Sequence, residues 1–458
     1  MIQLRPYQQT AIDNVRSAFR RNVRSALLVA PTGSGKTVMF SHMAGIVAQR
    51  DKRITIVAHR EELLDQISRT LSDFDVKHSF IAASRPHDHR YPVQVASVQT
   101  LARRLDRYPA PDLLIIDEAH HMVSSTTWGR VATYYSGSYI LGVTATPCRL
   151  SGEGLGDMFK EMILGPTVQE LIALGALCDY RPFVPSTFTD EGMHTRGGDF
   201  VREESAAKMD KPTVTGDAVK HYRRLSHLQP AVAFCVRVDH AEHVARQFKE
   251  AGYSSASIDG GMDKDLRRKI IRDFSNGHIN VLTSCDLISE GFDVPGIETA
   301  ILLRPTQSLG LYLQQVGRAL RPSRGKECAT ILDHCGNIAR HGLPDDDREW
   351  TLDSVKRTKA KTENALSVKV CKNCFAAMRS TQMSCKVCGV EVIGKPREVV
   401  QQEGELVELD KERARKELRK QQGAAKTMEE LVEYGKSRGY KNPYGWASHV
   451  IKARGARK

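Results

Sequence analysis

The segment Ala30-Pro31-Thr32-Gly33-Ser34-Gly35-Lys36-Thr37 follows an apolar run, Ala26–Ala30, and opens a helical pattern, Lys36–Arg50. A strand, a glycine-bearing turn and a helix in that order commit the chain to an α/β sheet with helix N-termini above its strand ends. Glycine at 33 and 35 lets the backbone curl so that successive N–H groups face one concavity. The helix N-terminus adds the positive end of its dipole. Such a loop cradles phosphate. In it Lys36 reaches the outer phosphates of a nucleoside triphosphate and the Thr37 hydroxyl holds Mg2+, with Thr32, Gly33, Ser34 and Gly35 forming the wall. The generic pattern begins with glycine; Ala30 stands in that place here.

The surroundings agree with a parallel sheet. Near-continuous apolar runs at Ala26–Ala30, Ile54–Ala58, Val93–Val98, Leu113–Ile116 and Ile140–Val143 alternate with helical patterns such as Glu61–Asp73, as expected of strands buried on both faces. A polar, poorly periodic stretch from about Asp190 to Thr215 reads as a connection or insertion. The alternation then restarts with Ala231–Val236, Ser255–Ile258, Val281–Leu282, Ala300–Leu303 and Thr330–Leu332. A chain of 458 residues exceeds one ordinary core, and two α/β domains account for most of it. Hydrophobic residues at 41% and charged residues at 26% are the balance of a soluble protein, no apolar run is long enough to span a bilayer, and Met1–Phe19 lacks the apolar core of a secretory signal. The expected location is therefore the cytoplasm, away from membranes. A net charge of +13 is compatible with a polyanionic partner and equally with a merely soluble basic protein.

A second constellation is Leu113-Leu114-Ile115-Ile116-Asp117-Glu118-Ala119-His120, an apolar strand ending in two carboxylates. At a strand end beside the phosphate loop, Asp117 binds the Mg2+ shell and Glu118 orients or deprotonates the attacking water. Asp117-Glu118-Ala119-His120 matches the DEAH box, and the chain resembles the superfamily 2 helicases. Arg5-Pro6-Tyr7-Gln8 is similar to the adenine-recognition motif, with Gln8 as base reader. Ala58-His59-Arg60-Glu61-Glu62-Leu63 and Ser97-Val98-Gln99-Thr100-Leu101 resemble the two strand-facing motifs of the first lobe, which implies nucleic-acid contacts at Arg60, Gln99 and Thr100. Thr144-Ala145-Thr146-Pro147 looks like the motif that couples hydrolysis to strand handling, with His120, Thr144 and Thr146 as coupling residues. Ser289-Glu290-Gly291-Phe292-Asp293-Val294-Pro295 resembles the motif touching both nucleotide and nucleic acid, through Gly291 and Asp293. Gln314-Gln315-Val316-Gly317-Arg318-Ala319-Leu320-Arg321 resembles the arginine-finger motif, and helical spacing puts Arg318 and Arg321 on one face.

The resemblance covers about residues 1–345. It implies two RecA-like parallel-sheet domains with a cleft between them, ATP and Mg2+ in that cleft, and nucleic acid, DNA before RNA, as partner in repair, recombination or phage replication. An RNA helicase and an ATP-switched binding module are the alternatives. Arg149 and the Gly152/Gly154/Gly156 cluster bring the chain nearest to the RadD-like group of bacterial and phage helicases. The expected division is an ATP-binding domain at 1–180, a helicase C-terminal domain at 181–345, a charged linker at 346–367, a metal module at 368–392 and a helical basic tail at 400–458.

Of ten cysteines, six are scattered. The others form two C-x-x-C turns, Cys371/Cys374 and Cys385/Cys388. Two thiolate pairs suit tetrahedral Zn2+ in a small ribbon or knuckle, with an iron–sulfur cluster or a redox pair as alternatives. The metal would be what folds so short a segment. Lys369, Lys372 and Lys386 beside it fit nucleic-acid contact or docking of a protein partner. Glu403–Gln422 reads as a charged helix. In the tail, Tyr434, Tyr440, Tyr444 and Trp446 stand among basic residues; at helical spacing they read as a small core before a base-stacking surface.

Overall fold

The computed structural model describes residues 3–83, 85–149, 153–184, 190, 192–285, 294, 296–353, 368–391, 425, 427–437 and 443–455, the side chains of 212, 213, 215, 216, 449 and 452–455 excepted. The chain divides into a large unit, Met1–Ile393, and a small one, Gly394–Lys458.

The large unit begins with α1 (Pro6–Arg20), β1 (Ser25–Val29), α2 (Lys36–Ala48), β2 (Ile54–Ala58), α3 (Glu61–Asp73), β3 (His78–Ile81), β4 (Val93–Ser97), α4 (Val98–Ala102), β5 (Leu113–Asp117), α5 (Thr127–Tyr134), β6 (Tyr139–Thr144) and β7 (Glu161–Leu164). The seven strands form one all-parallel sheet in the order β3-β4-β2-β5-β6-β1-β7. Strands β1, β2 and β5 are buried along their whole length, because helices cover both faces. Ile12, Phe40 and Ile67 from α1, α2 and α3 pack on one side; Leu101 from α4 and Val131 from α5 pack on the other.

After β7 the chain crosses to a second sheet through α6 (Val168–Ala173) and β8 (Asp179–Phe183). The stretch expected as a connection or insertion, from about Asp190 to Thr215, contains a hairpin, β9 (Thr195–Arg196) with β10 (Asp199–Phe200), and α7 (Arg202–Met209). Asp199 anchors it, accepting from the Thr306 hydroxyl at 2.9 Å and the Gln307 N–H at 2.6 Å. Then follow α8 (Pro212–Leu225), β11 (Ala231–Cys235), α9 (Val238–Glu250), β12 (Ser255–Ile258), α10 (Lys264–Ser275), β13 (Val281–Cys285), β14 (Thr299–Leu302), α11 (Leu309–Ala319), β15 (Cys328–Asp333) and α12 (Asn337–His341). The second sheet is again all-parallel, in the order β12-β13-β11-β14-β15-β8.

Ion pairs among the described residues join the lobes, Glu61–Lys264 at 2.5 Å and Glu62–Arg267 at 2.6 Å. A strap also returns from the second lobe to the first. Trp350 and Leu352, at the start of the expected linker, pack against the first lobe's core, and the Leu352 carbonyl accepts from the Gly156 N–H at 2.9 Å. The rest of that linker, 354–367, lies outside the described residues.

A two-stranded antiparallel sheet, β16 (Val368–Val370) with β17 (Ala377–Arg379), carries the cysteine pairs. It docks on the edge of the second sheet by a bridge between Phe183 and Ala376. In the small unit, helices Met428–Ser437 and Pro443–Gly455 enclose Leu431, Val432 and Ala447. The Tyr434 and Trp446 rings stack with centroids 5.8 Å apart, in keeping with the core reading. Tyr444 is exposed. Tyr440 and Glu403–Gln422 lie outside the described residues. No helix among the described residues is long and apolar enough to cross a membrane.

Candidate functional site

The phosphate loop leaves β1 and enters α2 with Gly33 at φ +89° and Gly35 at φ +81°. The left-handed backbone favours glycine at both positions, and neighbouring side chains crowd the same space. A Cβ on Gly33 would stand 2.7 Å from Leu177, and one on Gly35 would strike the Gln8 amide. Gln8 is buried and donates from Nε2 to the Ser34 carbonyl at 3.1 Å, while the Tyr7 hydroxyl donates to the same carbonyl at 3.0 Å. Helix α1 thereby braces the loop. The Lys36 ammonium folds back on the loop, donating to the carbonyls of Ala30 at 3.1 Å and Pro31 at 3.2 Å.

Strand β5 delivers the carboxylates. In a continuing strand Asp117 and Glu118 would face opposite sides of the sheet. The backbone instead turns left-handed at Glu118, φ +52° and ψ +49°, and both residues line one cavity. A non-glycine residue held there is strained by about 1–2 kcal/mol, a strain that places the second acid beside the first.

That cavity, 460 Å³, lies between the lobes. Around it stand Gln8, Thr32, Gly33, Ser34, Gly35, Lys36, Thr37, Asp117 and Glu118 from the first lobe, and Arg318 and Arg321 from the second. Arg318 is on α11, whereas Arg321 lies just past its end; both still reach the cavity. Helix α11 approaches closely because residue 317 is glycine: a Cβ there would come within 2.7 Å of Thr32.

Electrostatics indicate what the cavity accepts. Burial lowers the Lys36 pKa, opposed by Glu118 and Asp117, and the two arginines lower it further. Burial and the Glu118 charge push the Asp117 carboxyl up to about 7. Among the described residues, its one hydrogen bond comes from the Glu118 N–H at 3.0 Å. A buried lysine with two arginines and two carboxylates around one cavity fits a polyphosphate together with a divalent cation. A second interlobe cavity, 450 Å³, lies behind Pro31 and Thr32. Its lining is mainly apolar, with acids of the strap, so the triphosphate belongs in the first.

The three residues expected to couple hydrolysis to strand handling form one network. The His120 Nδ1 lies 3.0 Å from the Thr144 hydroxyl and 3.3 Å from Glu118 Oε2, and the Thr144 hydroxyl donates to the Thr146 carbonyl at 2.9 Å. Thr146 is fully buried and meets the second lobe, since a Cβ on Gly310 would stand 2.8 Å from its hydroxyl. Arg60 and Gln99 are apart from the cavity and meet at His59: Arg60 Nε donates to His59 Nε2 at 3.1 Å, and the Gln99 amide donates to the His59 carbonyl at 3.3 Å. Thr100 follows on α4. Gly291 and Asp293 lie outside the described residues. Gln314 also lines the cavity; its place in the Gln-Gln-x-Gly-Arg run was the available signal, and nothing but its neighbours marked it.

The four cysteine sulfurs lie within 4.8 Å of one another, with Cys371–Cys388 and Cys374–Cys385 each at 3.6 Å. Tetrahedral zinc with bonds of about 2.3 Å separates its sulfurs by about 3.8 Å, whereas a disulfide needs about 2.0 Å. The donor set is compatible with zinc.

A pair of RecA-like lobes closing on a phosphate loop defines a two-lobed, nucleoside-triphosphate-driven enzyme. Residues 1–149 match the family model described as type III restriction enzyme, res subunit, and residues 217–323 match the helicase conserved C-terminal domain. The chain belongs to the ATP-dependent helicases of superfamily 2. A 51.5 kDa protein of a Lactococcus phage (isolate 7-9) is 33% identical over 391 residues, 85% of this chain and 83% of that protein. A Saccharomyces cerevisiae protein assigned as ATP-dependent helicase IRC3 is 29% identical over 355 residues, 73% of this chain but only 51% of that protein. Among solved structures, a fragment assigned as the HsdR subunit of a type I restriction enzyme from Vibrio vulnificus shares the fold, with a TM-score of 0.58 at 22% identity over 74% of this chain and 65% of that one.

Proposed function

We propose that this chain is an ATP-driven DNA helicase or translocase of the RadD-like group, acting in the cytoplasm in repair, recombination or phage replication. The observation that carries the reading is the meeting of Lys36, Asp117, Glu118, Arg318 and Arg321 around one interlobe cavity. Lys36 and the loop N–H groups grip the outer phosphates, and Gln8 reads the base. Thr37 and Asp117 hold Mg2+, which supplies charge neutralisation on the phosphate oxygens. Glu118 takes the proton of the attacking water. Arg318 and Arg321 act on the transferred phosphoryl from the second lobe, so turnover follows lobe closure. By motif, Gly291 and Asp293 are assigned to nucleotide binding. Arg60, Gln99 and Thr100 hold the strand, mainly by its phosphates, and His120, Thr144 and Thr146 couple that grip to the nucleotide.

DNA is favoured over RNA by the restriction-enzyme family model on the first lobe. The net charge of +13 suits either polymer. The narrower group rests on Arg149, which pairs with Asp157 at 2.7 Å and donates to the Met122 carbonyl at 2.8 Å, tying the loop of Gly154 and Gly156 to the DEAH turn. Ten cysteines without a disulfide suit a reducing compartment. Cys371, Cys374, Cys385 and Cys388 hold a structural Zn2+, and the C-terminal region is available to protein partners. The division into domains at 1–180, 181–345, 346–367, 368–392 and 400–458 is retained as a working one.

ATP hydrolysis measured with single-stranded, duplex and forked DNA and with RNA tests the reading. Stimulation by DNA is expected, and stimulation by RNA alone overturns the DNA assignment. Lys36→Ala abolishes hydrolysis. Glu118→Gln binds ATP without turning it over, and full turnover in that variant contradicts the role given to Glu118.

A further inference from the structure

A row of ring side chains connects the hydrolytic carboxylate to the edge that carries Arg60 and Gln99. The turn after β5 places His120 and His121 side by side, with centroids 4.2 Å apart. Because β2 and β5 are adjacent in the sheet, His121 meets His59 at the end of β2, edge to face at 5.0 Å. Trp128 of α5 backs His59 at 6.2 Å.

Both ends of the row are chemically tied. At the inner end the Thr144 hydroxyl spends its proton on the Thr146 carbonyl. His120 Nδ1 therefore carries the proton and donates towards Thr144, with Glu118 Oε2 3.3 Å away. At the outer end His59 Nε2 accepts from Arg60, and the His59 carbonyl accepts from Gln99. The Gln99 amide is itself oriented by the Ser97 hydroxyl, which donates to its Oε1 at 2.8 Å. A displacement of Arg60 or Gln99 thus moves His59. The ring contacts from His59 to His121 and from His121 to His120 give that movement a path to the inner end.

We propose that His121 is a positioning residue. It links the strand-holding residues Arg60 and Gln99, through His59, to His120 and so to the setting of Glu118, and nucleic-acid binding raises ATP hydrolysis through this contact. The proposal rests on the reading of Arg60 and Gln99 as strand contacts. His121 touches neither nucleotide nor strand in it. The histidine–threonine tie beside Glu118 is the inner half of the route; the His121–His59 contact is the half that reaches the strand.

The full chain is assayed as wild type, His121→Ala, His121→Phe, and the double variant Arg60→Ala/Gln99→Ala. Each is measured for hydrolysis without and with oligo(dT), and for oligo(dT) affinity by fluorescence anisotropy. His121→Ala is expected to bind oligo(dT) as the wild type does and to hydrolyse ATP at the wild-type unstimulated rate, while the stimulated increment falls about tenfold, within the range of coupled sites. His121→Phe keeps a ring in place and retains most of the stimulation. Full stimulation in His121→Ala overturns the proposal, as does an equal loss in His121→Phe. Where His121→Ala fails to fold, His121→Gln, polar but ringless, carries the same test. The double variant separates the two readings. If it loses oligo(dT) affinity while His121→Ala stays fully stimulated, the strand contacts stand and the link falls. If it binds as the wild type does, the strand contacts fall and the link falls with them.

Discussion

Lys36 and Arg318 illustrate what a residue's neighbours in sequence do and do not reveal. The lysine's chemistry is legible in eight residues, because a glycine turn between strand and helix has few other uses. That Arg318 is buried at 6% exposure beside the same cavity depends on the approach of a second lobe, and spacing alone puts it only on a helix face. The left-handed turn at Glu118 was not legible either, since two acids after a strand equally describe a solvated turn. In the proposed mechanism Arg318 matters to the transferred phosphoryl more than to nucleotide affinity. Arg318→Ala is expected to lower kcat for ATP by about 10³-fold or more, in the range of arginine fingers, with KM changed far less. Steady-state kinetics at saturating DNA checks this. A loss confined to KM would reassign Arg318 to nucleotide binding.

Among elements, the strands of the two large sheets that were hidden from sequence share one property. β3, β7 and β8 are all sheet edges. Their burial is partial: alternating in β3, and limited to single positions or one end in β7 and β8. The continuous apolar runs that reveal the central strands are a consequence of burial on both faces, and an edge lacks them. β8 even carries Pro182, which an edge strand tolerates and a central strand does not. Pairing between helices of different lobes is equally invisible. Arg267 of α10 is mostly buried against Glu62 of α3, with Lys264–Glu61 beside it. Because Arg267→Glu sets two carboxylates against each other in a mostly buried contact, it is expected to weaken lobe closure and reduce nucleic-acid-stimulated hydrolysis by about tenfold, about 1.4 kcal/mol. Adding Glu62→Arg restores most of it. A double-mutant cycle with no coupling would show that the pair does not act in closure.

Across the large unit, the cysteine module and the strap are mechanically one device. Arg379 of β17 pairs with Asp345 at 2.9 Å and Asp346 at 3.2 Å, and Tyr180 of β8 donates to Asp345. These acids begin the strap whose Trp350 and Leu352 pack on the first lobe. The module itself has little core: two three-residue strands and four sulfurs. Zinc held by those four sulfurs would supply its folding free energy, on the order of 10–16 kcal/mol in small zinc modules. Stripping zinc with a chelator is expected to release one equivalent, lower the melting temperature, and raise hydrogen exchange first in 368–391 and next in 344–353. The β1–β5 core of the first lobe keeps its protection, since nothing in it depends on the module. The order of these changes separates a clamp from a general stabiliser. If exchange in the strap rises no sooner than in β1 and β5, the module stabilises the fold as a whole and the Arg379 pairs do not hold the strap. If Cys388→Ser retains a full equivalent of zinc and a wild-type melting temperature, the four-sulfur site is not the metal site at all.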